Sequence, residues 1–168
     1  LCVPEQMVID GNFPTVLSPN PENPEGFYLA IDLAKKNDVD FILGTDPDSD
    51  RVGIMVRNKS GEFEPVTGNQ TGVLLLDYLI GAMRRAGKMP EHPYFLKTIV
   101  TTEMARKVAE SNGVTCYDTF TGFKFMAEKK NALEAAGEGK VIFSYEESYG
   151  YMLGDYVRDK DAVSASVE

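Results

Sequence analysis

Between Phe95 and Tyr145, short apolar runs alternate with segments of helical period, and nothing else in the chain restricts its fold so sharply. Phe95 to Val100 reads as a strand, and Glu103 to Asn112 as a helix capped by Thr102 and stopped by Gly113. Val114 to Tyr117 reads as a second strand, Phe123 to Ala135 as a second helix, and Val141 to Tyr145 as a third strand. A βαβαβ order of this kind predicts a parallel sheet with right-handed crossovers. Ligands of such sheets collect beyond the C-terminal strand ends.

The chain before Phe95 reads differently. Residues 1–27 hold five of the nine prolines and are expected to be irregular, because proline removes a helix donor and fixes φ. From Gly26 to Lys36 the apolar positions Phe27, Ile31, Leu33 and Ala34 follow a helical period, and Phe41 to Leu43 is a short buried strand. Val52, Ile54 and Val56 alternate, the Asn58 to Gly61 segment turns the chain, and Phe63 to Val66 returns, which predicts a hairpin. Thr67 is the expected cap of a long helix through Leu74, Leu75, Tyr78 and Leu79 to Met83. The expectation is an α/β protein of two successive α/β/α lobes, residues 1–66 and 67–168, with mixed or parallel sheets flanked by helices. The 43% apolar composition supplies a core for them. Leu1 and Glu168 both read as cuts inside a longer protein.

Twenty-six acidic residues against 17 basic ones give a net charge of -9, which repels nucleic acid and anionic lipid. A phosphate ligand must then be held by a metal, a few placed cations or backbone amides. No apolar run approaches the ~20 residues of a membrane span, and the N-terminus lacks a signal-peptide pattern, so a cytoplasmic protein is expected. Cys2 and Cys116 lack metal or redox spacing, and Cys116 reads as a small buried residue.

Directly after the strand at 41–43 comes GTDPDSDR, which sets Asp46, Asp48 and Asp50 at alternate positions beside Arg51. Alternate spacing can turn all three carboxylates on one centre, where their repulsion calls for a hard divalent cation; a solvated acidic turn is the competing account. An EF-hand needs Gly at the sixth position and Glu at the twelfth, and those positions hold Arg51 and Arg57. A haloacid-dehalogenase phosphatase, with the first aspartate as nucleophile, stays open, as does a noncatalytic divalent-ion module.

GTDPDSDRVGIMV resembles the metal loop of the α-D-phosphohexomutases, the phosphoglucomutase and phosphomannomutase superfamily, although Pro47 and Ser49 stand where glycines are usual. The resemblance implies that Asp46, Asp48 and Asp50 coordinate magnesium and that Arg51 supports the charge of a phosphoserine. SYEESYGY, after the strand at 141–145, is similar to the family's sugar loop, which implies that Glu146 and Ser148 bind ring hydroxyls. RDKDA resembles the segment carrying a substrate-facing lysine, implying catalytic contact by Lys160 with sugar or phosphate and a lesser contact by Arg158. TFTGFKF is similar to a Thr-Gly loop at the sugar, which implies binding at Thr121 and Gly122; capping of the following helix by Thr121 is an equal account.

Carried over whole, the resemblance implies a phosphoglucomutase-type enzyme that interconverts hexose 1-phosphate and hexose 6-phosphate through a phosphoserine and a bisphosphate intermediate. Glucose 1-phosphate and glucose 6-phosphate are the expected substrates, with mannose and pentose phosphates as competitors. Residues 1–66 would be the later part of the family's second domain and 67–168 its third. The serine would lie elsewhere in the parent enzyme, whose remaining domains are the expected partners, and the isolated chain would be inactive. His92, the sole histidine, reads as a surface residue, and Ser18 lacks a base to activate it.

Overall fold

The computed structural model describes residues 1–154 and 157–168. Its first sheet is antiparallel, in the order β1-β2-β3, formed by β1 (Phe41–Thr45), β2 (Val52–Arg57) and β3 (Phe63–Val66). Helix α1 (Tyr28–Lys36) lies on it, with Phe27, Ala34, Ile42 and Met55 as the buried contact. The proline-rich opening forms only the 3₁₀ turns Pro4–Gln6 and Pro24–Phe27, as its composition dictates.

The second sheet contains β4 (Pro93–Thr98), β5 (Thr115–Thr119), β6 (Lys140–Glu146) and β7 (Gly150–Leu153) in the order β5-β4-β6-β7. β4, β5 and β6 are parallel, as the alternation predicts. β7 is antiparallel to β6, so the sheet is mixed. A three-residue connection between β6 and β7 is too short for a crossover and permits only an antiparallel return. Tyr149 makes that return with a left-handed backbone, φ 68°.

Helices cover both faces. α2 (Gly68–Arg85), α3 (Glu103–Ser111) and the short α5 (Ala162–Val167) pack on one face through Leu76, Ile80, Ala105, Ala109 and Ala165 against Phe95, Phe143 and Tyr145. α4 (Phe123–Ala135) closes the other, where Phe123, Met126 and Leu133 meet Tyr94, Leu96 and Val141. β7 is absent from the sequence expectation. α2 begins five residues before its apolar period, because Thr67 and Gln70 form a reciprocal capping box. β4 ends two residues sooner than expected, since the Thr101 amide donates to the Thr98 carbonyl and turns the chain. Among the described residues, no helix is long and apolar enough to cross a membrane.

The two sheets touch at the β1–β2 loop and the β6–β7 turn. The Val52 amide donates to the Tyr149 carbonyl at 3.2 Å, Arg51 bridges Gly150, and the Ala162 amide donates to the Ser49 carbonyl at 3.0 Å. The β1–β2 loop, the β6–β7 turn and the start of α5 are thereby held side by side.

Lys97 is fully buried in β4, yet its Nζ is saturated: Glu103 at 2.8 Å, Asp118 at 3.0 Å, and the carbonyls of Thr98 and Thr101 at 3.2 and 3.0 Å. Burial alone would lower its pKa, but the carboxylates of Glu103 and Asp118 outweigh it and hold the ammonium above the usual lysine value. A raised folded value means the stabilisation is present below the ordinary lysine range and is lost as pH climbs through the folded value, so it acts fully at neutral pH. Lys97→Met, which keeps the volume and removes the donor, is expected to cost about 1–2 kcal/mol in urea denaturation at pH 7.

Candidate metal and ligand site

Asp46, the first residue after β1, builds the loop that it opens. Its Oδ1 accepts the backbone amides of Asp50 and Arg51, both at 3.0 Å, while Ser49 takes φ 56° to bring them round. One oxygen from each of Asp46, Asp48 and Asp50 then lies within 4.8 Å of the others. Asp46 and Asp50 are partly buried and Asp48 is exposed. Such all-oxygen, triply acidic donors suit a hard divalent cation and no soft metal.

The charges in this loop are unevenly compensated. Burial, reinforced by the adjacent Asp50 carboxylate, raises Asp46 above the usual aspartate range, with the Arg51 amide opposing it. Burial also pushes Asp50 upward, but its contacts with Lys160 and Asp46 bring it below that range. Lys160 Nζ stands 2.5 Å from Asp50 Oδ2 and 5.7 Å from the centre of the Phe123 ring. Arg51 spans the loop, its Nε 3.8 Å from Asp46 and 3.9 Å from Asp50, and its Nη1 3.6 Å from Glu22.

Across from the acidic loop, Glu146 closes β6. Its carboxylate is buried and accepts the Gly122 amide at 2.6 Å, which ties the β6 end to the start of α4. Burial raises the Glu146 pKa, and that amide bond works against the rise. Ser148 follows, half-buried, in the β6–β7 turn. Gly122 itself is the N-cap of α4, with φ 115°, and no side chain caps the helix. Capping by Thr121 is therefore corrected: the left-handed Gly122 carries the chain into the helix and leaves the Thr121 side chain exposed.

The structure thus gathers Asp46, Asp48, Asp50, Arg51 and Lys160 in one charged cluster, and pairs Glu146 with Gly122 beside it. Arg158 is exposed and forms no ion pair with the cluster among the described residues. His92 is exposed and Cys116 buried, as their sequence settings indicate. Sequence reasoning missed Glu22 on Arg51 and the side chain of Glu147, which lies between the two expected ligand residues but turns toward Thr98 and Thr101. Neither contact leaves a spacing signal, since each joins segments distant in sequence.

Comparison with known proteins gives a consistent picture. Residues 1–61 match the family model for phosphoglucomutase/phosphomannomutase α/β/α domain II, and residues 67–168 that for domain III. A phosphoribomutase of Saccharomyces cerevisiae is 39% identical over 99% of this chain and 27% of its own length. A phosphoglucomutase of Staphylococcus aureus is 40% identical over 92% of this chain and 27% of its own. The chain therefore spans about a quarter of these relatives. The crystal structure of a phosphoglucomutase/phosphomannomutase family protein from Burkholderia thailandensis superposes with a TM-score of 0.71 at 21% identity, over 94% of this chain and 31% of that one, and shares the fold.

Proposed function

Because this chain belongs to the phosphoglucomutase/phosphomannomutase family, we propose that it is the metal- and sugar-binding part of a magnesium-dependent hexose-phosphate mutase. Residues 1–66 are the later part of domain II and 67–168 are domain III; the phosphoserine comes from outside these residues, and the isolated chain is inactive. The observation that carries this reading is the 2.5 Å contact between Lys160 and Asp50, which unites two motifs 110 positions apart beside Glu146.

Asp46, Asp48 and Asp50 hold the magnesium. When bound, the metal supplies charge neutralisation for a transferring phosphoryl group. Arg51, already set against Asp46 and Asp50, presents its guanidinium to the phosphoserine, and Lys160 meets the incoming sugar phosphate. Glu146 and Ser148 orient ring hydroxyls; the buried Glu146 carboxylate discriminates for them because it is left poorly solvated without one. Thr121 and the Gly122 segment close the sugar side, and Arg158 reaches phosphate from the rim. The substrates are glucose 1-phosphate and glucose 6-phosphate, in a cytoplasmic setting.

The aspartate-nucleophile phosphatase is disfavoured by the loop itself. Asp46 spends one oxygen on two amides of its own turn, and the loop is a hairpin between antiparallel strands. The bare ion module leaves the convergence of Glu146 and Lys160 without a purpose. A pentose phosphate is the second reading, favoured by the similarity to a phosphoribomutase, which matches that to a phosphoglucomutase.

A coupled assay of the full-length enzyme with glucose 1-phosphate and ribose 1-phosphate decides the matter. Metal-dependent turnover, faster on the hexose, is expected. Faster turnover of the pentose would move the assignment to the second reading, and release of inorganic phosphate in place of isomerisation would overturn it.

A further inference from the structure

The middle residue of the Glu146-Glu147-Ser148 turn faces away from the ligand side. Glu147 Oε2 lies 3.1 Å from Thr98 Oγ1 and 3.0 Å from Thr101 Oγ1, and the two hydroxyl oxygens are 2.8 Å apart. Two hydroxyl protons can fill only two of these three contacts: either both hydroxyls donate to the carboxylate, or one donates to the carboxylate and the other to its threonine neighbour, because an ionised carboxylate only accepts. The hydroxyls are rigidly placed: both threonines are buried, and they bracket the turn that the Thr101 amide closes on the Thr98 carbonyl.

That turn is braced from two more directions. Beneath it, the Lys97 ammonium binds the carbonyls of Thr98 and Thr101 while anchored to Glu103 and Asp118. Beside it, Asn69 Oδ1 accepts the Thr102 amide at 3.0 Å. One residue earlier, α2 touches the ligand turn itself: a Cβ on Gly68 would lie 2.0 Å from the Glu147 carbonyl oxygen. The β4 end, the first turn of α2 and the β6–β7 turn thus interlock around one carboxylate, immediately behind Glu146 and Ser148.

We propose that Glu147 is a positioning residue, clamped by the Thr98 and Thr101 hydroxyls on the Lys97-braced turn so that Glu146 and Ser148 are presented to the ligand in one fixed geometry. This rests on the reading of residues 146–148 as the sugar contact. Without the clamp the turn samples other geometries and only a fraction of molecules bind, which raises KM in inverse proportion to that fraction and leaves the bound complex to react nearly as before.

The test uses the full-length enzyme with Thr98→Val/Thr101→Val, the matched Thr98→Ser/Thr101→Ser, and Glu147→Gln. The valine pair is expected to raise KM for the sugar phosphate about tenfold with kcat within about threefold, and to speed hydrogen exchange at amides 146–150 by roughly tenfold. The serine pair, which retains both hydroxyls, is expected to stay near wild type, with Glu147→Gln between the two. If the valine pair leaves KM and exchange unchanged, or if the serine pair is as impaired as the valine pair, the clamp is overturned. Should the valine pair fail to fold, Glu147→Gln decides alone: unchanged KM and exchange overturn the proposal. A wild-type enzyme that turns over no sugar phosphate would sink the reading of the site, and the exchange comparison would then decide the clamp independently.

Discussion

Gly72→Ala is expected to destabilise the protein by about 3 kcal/mol, against the usual benefit of alanine in a helix. A Cβ at position 72 would lie 2.2–2.4 Å from three atoms of the Tyr145 ring. That ring cannot swing aside. It is fully buried and packed against Phe95, Phe143 and Tyr151 with centroids 5.8, 5.7 and 6.1 Å away. Relief has to come from moving α2 or the end of β6, and both support the β6–β7 turn. Overpacking of this severity sits at or above the upper end of its usual range of about 1–3 kcal/mol, and the ~1 kcal/mol gain in helix propensity offsets only part of it. Gly81→Ala in the same helix is the control: its Cβ meets only the flexible tip of Arg85 at 3.1 Å, so a gain of up to about 1 kcal/mol is expected. Urea denaturation of the pair measures both, and equal stabilities would contradict the packing account.

The second large effect separates metal binding from loop construction. Asp48 is exposed and, among the described residues, takes part in no hydrogen bond or ion pair with the rest of the protein. Asp48→Asn is therefore expected to leave the unfolding midpoint within about 2 °C of wild type. It removes one of three charges from the cation's surroundings, so magnesium affinity should fall by more than about tenfold, worth about 1.4 kcal/mol. In the full-length enzyme, turnover should fall by roughly 10²–10³, the size of losing one preorganised electrostatic contact. Asp46→Ala behaves differently because the Asp50 and Arg51 amides lose their acceptor. It is expected to lose the metal and about 1–3 kcal/mol of stability together. Calorimetric titration and thermal melts give both quantities. An Asp48→Asn protein with unchanged affinity would remove Asp48 from the metal site.

Much of this could be read from the sequence wherever the signal is local. The alternation from Phe95 to Tyr145 gives the three parallel strands, and Thr67 followed by Gln70 three positions later is a cap visible without coordinates. The acidic loop is equally local, with alternate spacing, a strand on each side and convergence to 4.8 Å. β7 was hidden because its first two residues, Gly150 and Tyr151, fall inside the SYEESYGY motif and the strand is too short to show a period of its own. The Lys160–Asp50 contact and the Glu147 clamp were hidden for a different reason. Each is made by side chains from segments more than 40 residues apart; the juxtaposition of the two sheets creates the first, and the adjacency of β4 and β6 within one sheet creates the second. Thr121 shows the opposite error, in which a favourable cap residue is bypassed because a glycine beside it supplies the backbone conformation.

The most direct test of the central claim is an amide NMR titration of this chain with magnesium and then with glucose 1-phosphate, run in parallel on Asp48→Asn. The account predicts magnesium shifts confined to residues 46–51, weakened in the variant, followed by sugar-phosphate shifts at 146–150 and 160. Magnesium that leaves residues 46–51 unmoved, or moves them equally in both proteins, would contradict it.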